Sequence, residues 1–230
     1  MSVDHEPDRV AERYARRQRP DRYAIGSPGV RPMLAERQVA LRRLLAGLDL
    51  PTLRLVEVGC GSGGNLLELM QLGFVAEHLQ GIELLPERLA QARAQLPPAL
   101  QLLAGDASQA PIAPASQDIV YASTVFSSLL DSGFQHQMAQ AMWSWLKPGG
   151  AVLWYDFTVN NPRNPDVRGV PLLRLQTLFP QGRLSHHRVT LAPPLARAVC
   201  RVHPALYGVF NTLPLLRTHV LAWVEKPRAG

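Results

Sequence analysis

The stretch LRLVEVGCGSGGNLLELMQL, residues 53–72, limits the fold more than any other part of the chain. An apolar run rich in valine and leucine enters a turn with glycines at 59, 61, 63 and 64, and the helical pattern from Asn65 to Leu72 follows at once. Strand, glycine turn and helix in that order open a doubly wound α/β sheet, where backbone can approach a bound nucleotide closely.

The chain beyond it keeps the rhythm. Strands are expected at 78–83, 100–105, 117–123 and 151–157, separated by helices at 86–96 and 133–146, the second stopped by Pro148 and two glycines. Such alternation predicts a mostly parallel sheet with helices on both faces. Upstream, residues 7–19 and 34–48 read as two helices, the second with Leu34, Leu41, Leu45 and Leu48 on one stripe. The tail reads as a proline-rich loop (160–169), a short helix with Leu172, Leu175 and Phe179, a strand in GRLSHHRVTL, a helical stretch from Pro193 and a strand in THVLAWVEK. This divides the chain into a helical arm, 1–49, and a catalytic-type domain, 50–230, whose part 157–230 is basic.

The charge is unevenly spread. Residues 1–49 hold ten arginines against seven acids, residues 50–156 four basic groups against nine acids, and residues 157–230 ten basic groups against Asp166 and Glu225. Genome composition can exchange lysine for arginine, and only Lys147 and Lys226 are lysines, but it does not move acids elsewhere. A basic C-terminal face points to an anionic acceptor, a nucleic acid or an anionic membrane surface. No uncharged run approaches the length of a membrane span, and the N-terminus lacks the apolar core of a secretion signal. Two cysteines, Cys60 and Cys200, form no framework, so a reduced, cytoplasmic setting is the simplest expectation.

Residues 59–64 fit the G-x-G-x-x-G pattern of dinucleotide folds, and residues 57–63 fit E-x-G-x-G-x-G, found where S-adenosylmethionine binds. Glu83, ending the second strand, suits ribose hydroxyls in either case. Glu57 discriminates: a carboxylate two residues before the turn can hold it and meet an ammonium group, which NAD lacks. Asp106, in AGDAS after the third strand, can accept from an adenine amine. With the helix–LKPGG–strand unit, this combination resembles the class I S-adenosylmethionine-dependent methyltransferase family, over 53–157 and the final strand.

The resemblance implies a seven-stranded sheet whose last strand is antiparallel. It implies that Gly59, Cys60 and Gly61 wrap the methionine part, that Glu83 takes the ribose, and that Leu84 packs on the adenine. Asp106 and Ala107 then read the adenine edge, and Ser123 lies beside the methionine. Asn65 divides between capping its helix and touching the ligand. Cys60 is read as tolerated in the turn rather than reactive. The segment STVF, 123–126, stands where family members that methylate exocyclic amines carry an NPPY-type tetrapeptide, which disfavours N-methylation of a base.

An oxygen acceptor usually needs a base, and Asp156 and His136 are the candidates. No metal spacing is seen; His186 and His187 would point to opposite sides of a strand. Arg163 and Arg168, in a loop braced by Pro162 and Pro165, are expected to bind an anionic group of the acceptor. YDFTVNNPRNPDVRG, residues 155–169, is similar to methyltransferases encoded among bacterial polysaccharide genes, which implies a sugar or glycan hydroxyl. Alternatives are a small-molecule O-methyltransferase with an apolar pocket from Phe126 and Trp154, an RNA methyltransferase and an NAD reductase; DNA is not an expected partner. Residues 16–29 are expected to fold over the cofactor, with Tyr14 and Tyr23 as contacts.

Overall fold

The computed structural model describes residues 5–16, 27–162 and 164–228. Its helices are α1 (Glu6–Ala15), α2 (Val30–Leu44), α3 (Gly64–Leu72), α4 (Pro86–Gln95), α5 (Ser132–Trp145), α6 (Leu172–Leu178), α7 (Pro193–Val202) and α8 (Leu206–Asn211). The strands are β1 (Leu55–Val58), β2 (Leu79–Glu83), β3 (Gln101–Ala104), β4 (Gln117–Ser123), β5 (Leu146–Phe157), β6 (Arg183–Leu191) and β7 (Arg217–Glu225). They form a seven-stranded sheet in the order β3-β2-β1-β4-β5-β7-β6, with β7 antiparallel to both of its neighbours. The expected doubly wound, seven-stranded architecture is the one observed.

Alternation along the strands splits the core into two layers. Val56, Val58, Val120 and Trp154 face α5 and α6, packing on Met138, Met142 and Leu175. Leu55, Ile119, Tyr121 and Leu153 face the other way, onto Leu41 of α2 and Leu66 and Leu69 of α3. The α2 helix starts four residues earlier than its leucine pattern suggests and ends before Gly47, which takes φ 84°. Leu41 and Leu45 are therefore buried, whereas Leu34 and Leu48 are each 40% exposed.

The order reverses direction at β1, flanked by β2 and β4. At such a switch point the loops leaving neighbouring strands part and open a crevice at the carboxyl ends. Val58, Glu83, Ala104 and Ser123 end four adjacent strands and so mark its rim.

Candidate active site

Building upward from β1, the chain must turn sharply and still leave room above the sheet. Gly59 has φ 64°, and a Cβ there would lie 2.8 Å from Val125 Cγ2. Gly61 has φ 58°, again in the region that L side chains avoid. The turn is tied to β2 by Glu83, whose Oε2 accepts from the Gly61 N–H (2.7 Å) and whose Oε1 accepts from the Leu85 N–H (2.8 Å). Glu83 is only 6% exposed, yet it borders the cavity at the strand ends. Each oxygen keeps a lone pair for a further donor, such as a ribose hydroxyl. A dinucleotide pyrophosphate would need the turn's N–H groups free, and here a carboxylate already holds one of them.

Gly59, Glu83, Leu84, Asp106, Ala107 and Ser123 all border this cavity. Asp106 caps the turn after β3, its oxygens accepting from the Ser108 N–H and hydroxyl, each at 2.8 Å. Gly105 beside it has open space where a Cβ would stand, so the wall is recessed there. Two carboxylates, a recessed backbone and apolar Leu84 and Ala107 suit a nucleoside that carries hydroxyl and amine donors.

Four of the residues expected in the cofactor site do not border the cavity: Glu57, Cys60, Gly61 and Asn65. The α3 helix is preceded by Gly63, and Asn65 does not cap it. Instead, Asn65 Nδ2 donates to Glu57 Oε1 at 2.6 Å. Glu57 points to the α2 side, fully buried, with its second oxygen unpartnered. Burial pushes its carboxyl from 4.5 up to about 8, against the pull of Asn65 and Arg37. It ties the start of α3 to β1 beneath the turn, and burial favours its protonated form. Cys60 is 5% exposed and burial raises its thiol well above the ordinary value, which suits an inert packing role.

The two candidate bases also stand off the cavity. Asp156 is 2% exposed, and its oxygens accept from the Ser127 N–H (3.0 Å) and the Phe157 N–H (2.9 Å). Burial pushes it from 3.8 to about 7, and its two bonds tie the loop after β4 to the end of β5. His136 lies on the exposed side of α5. Phe126 and Trp154, expected to wall an apolar acceptor pocket, are 0% and 2% exposed and pack on each other in the core, ring centres 4.6 Å apart and planes tilted by 47°. His186 and His187 are both exposed on β6; among the described residues no three histidines, cysteines or acids gather as a metal set. Tyr23 and Arg163 lie outside the described residues.

Sequence reasoning expected a roof from the N-terminal arm and named Tyr14 as a contact. It placed that roof in the loop 16–29, of which residues 17–26 lie outside the described residues, and missed the part played by the helix before it. The α1 helix places Pro7, Val10 and Tyr14 over the cavity, and the Arg88 guanidinium sits 4.6 Å from the Tyr14 ring centre. Buried Glu6 and Arg13 latch the helix down. Glu6 Oε1 accepts from Arg13 Nη2 and from the Leu130 N–H, each at 2.7 Å, and Arg13 also donates to the Ser128 carbonyl at 2.9 Å. Thr124, at the mouth of β4, has φ 55°, a strained setting for a β-branched residue and one that swings Val125 over Gly59. The salt bridge spacing in EPDRVAER gives no warning of its target more than 110 residues away.

Residues 55–150 match the family described as "Methyltransferase domain". The chain is 30% identical over 174 residues to a trans-aconitate 2-methyltransferase of Afipia carboxidovorans, a span of 75% of this chain and 61% of that protein. It thus spans about three-fifths of the length of that relative. In fold it is similar to a chain of a Haloferax volcanii complex between the Trm112 methyltransferase activator and a methyltransferase, with TM-score 0.62, 18% identity and coverage of 87% and 94% of the two chains. An S-adenosylmethionine-dependent methyltransferase of Archaeoglobus fulgidus gives TM-score 0.61 at 15% identity, covering 83% and 93%. These two likenesses speak for the fold alone. Residues 55–150 thus carry a methyltransferase domain, set in the fold of class I S-adenosylmethionine-dependent methyltransferases with a carboxylate-lined crevice at its switch point.

Proposed function

We propose that the protein transfers the methyl group of S-adenosylmethionine to an oxygen of a small anionic acceptor, and that the oxygen belongs to a carboxylate. The observation that carries this reading is the position of the two candidate bases, Asp156 and His136, neither of which borders the cavity. A carboxylate nucleophile has no proton to lose, so alignment with the methyl carbon suffices; a sugar or glycan hydroxyl would need a base. The related trans-aconitate methyltransferase, by its name, acts on an acceptor of this chemical class. The basic C-terminal third supports an anionic partner as well.

In this reading Glu83 takes the ribose hydroxyls, Asp106 and Ala107 face the adenine, Leu84 packs on its ring, and Gly59 and Ser123 flank the methionine part. Sulfonium supplies the activated methyl; the chain supplies position and exclusion of water. The α1 helix is the lid. The space beneath it measures about 120 Å³, below the roughly 300–1,000 Å³ of small-molecule pockets. A nucleoside-sized ligand therefore requires α1 to shift outward as it binds.

The test is a transfer assay with isotopically labelled methyl donor against trans-aconitate, citrate, acidic sugars and neutral sugars. Label in a base-labile ester on a carboxylic acid is the expected product. Label found only in base-stable ethers of sugars overturns the carboxylate reading.

A further inference from the structure

Segment 128–138 has the cofactor cavity on one side. On the other, still at the carboxyl edge of the sheet, lies a second cavity of about 360 Å³. Ser132 and Gln135 of α5, Asn160 and Thr158 after β5, and two arginines, Arg168 and Arg174, line it.

The arginines converge on one residue. Arg168 Nη2 donates to Ser132 Oγ at 3.1 Å, and Arg174 Nη2 donates to the Ser132 carbonyl at 2.8 Å. Arg174 Nε is further fixed on Gln135 Oε1 at 2.9 Å. Two guanidiniums are thus held side by side, and among the described residues neither has a carboxylate partner. The nearest acids in sequence are engaged elsewhere: Asp131 accepts from the Phe134 N–H, and Asp166 faces Arg16. Desolvation and the neighbouring Arg168 both lower the pKa of Arg174, the mark of an uncompensated like-charge pair.

The loop that carries Arg168 is braced at three successive residues. The N–H groups of 168, 169 and 170 donate to the Ser127 carbonyl (2.8 Å), Asn160 Oδ1 (2.9 Å) and the Phe157 carbonyl (2.8 Å). A Cβ on Gly169 would meet Val159 backbone at 2.7 Å, so the close packing admits only glycine. Folding has already met the ordering cost of presenting this guanidinium. A guanidinium offers five N–H donors, and each of these two keeps most of its own unused.

We propose that this cavity is a binding site for an oxyanion group, carboxylate or phosphate, clasped between Arg168 and Arg174. A planar anion accepts from both forks and removes the repulsion between them. The group belongs either to the acceptor, anchoring it beside the cofactor cavity, or to a free anion. Only the first source rests on the anionic-acceptor reading above.

The experiment is a calorimetric titration of inorganic phosphate and of citrate into the full-length protein at low ionic strength, with and without S-adenosylhomocysteine. Binding with Kd of roughly 1 mM or tighter is expected. Arg174→Gln and Arg168→Gln should each weaken it about tenfold or more, while Arg188→Gln, an exposed arginine on β6, should not. Should Arg174→Gln fail to fold, exposed Arg168 carries the test. Citrate competing with phosphate, and binding more tightly once S-adenosylhomocysteine is present, assigns the site to the acceptor. Phosphate that citrate does not displace assigns it to a free anion. Binding of neither ion, or equal weakening by Arg188→Gln, overturns the site. Absence of heat with S-adenosylhomocysteine contradicts the methyl-transfer reading and leaves the anion titration fully interpretable.

Discussion

The two cavities that flank the start of α5 are built on opposite plans. In the one beneath α1, Glu83 and Asp106 present acids whose oxygens each accept one local donor and keep room for another. In the other, Arg168 and Arg174 present cations whose donors outnumber their partners. The first plan suits a ligand rich in hydroxyl and amine donors and carrying positive charge; the second suits an anion. Within a few residues the molecule separates charge in the sense a sulfonium donor and an anionic acceptor require. The lesson is that the asymmetry of charge along the chain has a local counterpart: Glu83 and Asp106, with Arg88 beside them, border one cavity, and an arginine pair without acids borders the other.

The largest expected effect breaks the acidic side. Glu83→Ala removes the proposed ribose partner and also frees the Gly61 and Leu85 N–H groups, so S-adenosylhomocysteine affinity should fall by about 3 kcal/mol, roughly a hundredfold. Calorimetry checks this; a loss below about threefold would mean that Glu83 only braces the turn.

Next comes the lid, which closes one cavity and not the other. Arg13→Ala breaks the buried latch to Glu6 and Ser128 and, because α1 has to shift outward to admit the ligand, should tighten S-adenosylhomocysteine binding about fivefold while leaving phosphate binding unchanged. Hydrogen exchange should speed up across α1 and across no strand of the sheet. Equal loss of both ligands would show that α1 supports the whole edge rather than one site.

Glu57 gives a smaller effect, on stability. Its carboxyl titrates near 4.5 when unfolded and at about 8 when folded. Between those values the folded chain holds a proton that the unfolded chain has released, so stability falls as pH rises through the window. Glu57→Gln removes this loss: its Tm should match wild type near pH 4.5 and rise progressively above it, by several degrees, towards pH 8. A variant less stable than wild type at pH 8 would show that Glu57 works ionised. Smallest of all, His136→Ala should change kcat/KM by less than about twofold, since the ring stands outside both cavities.

The acidic cavity was legible because strand ends are readable. Periodicity locates β1, β2, β3 and β4, and the residues at or just past their ends, Gly59, Glu83, Asp106 and Ser123, fall on the rim by topology alone. Glu57 and Asn65 were legible as polar residues in odd places, but not the face they turn to: α3 begins at Gly64, and that one-residue shift sends Asn65 down to Glu57 instead of outward. Asp156 reads in sequence as a candidate base; that the loop after β4 folds back and presents the Ser127 N–H to it is a long-range contact the sequence does not encode. The roof and the basic cavity depend on contacts that no local pattern encodes. Arg13 meets Ser128, and Arg174 meets Ser132, only after the sheet has assembled. Arg168 was visible as a charge in a rigid loop; its pairing with Arg174 was not, because the two come together through a third residue.

The most direct test of this division is a crystal structure of the protein with S-adenosylhomocysteine and citrate. Expected are ribose hydroxyls on Glu83, adenine against Leu84 and Asp106, α1 displaced outward, and a citrate carboxylate between Arg168 and Arg174. A nucleoside seated against the arginines, or citrate held away from them with Glu83 making no contact to ribose, would contradict it.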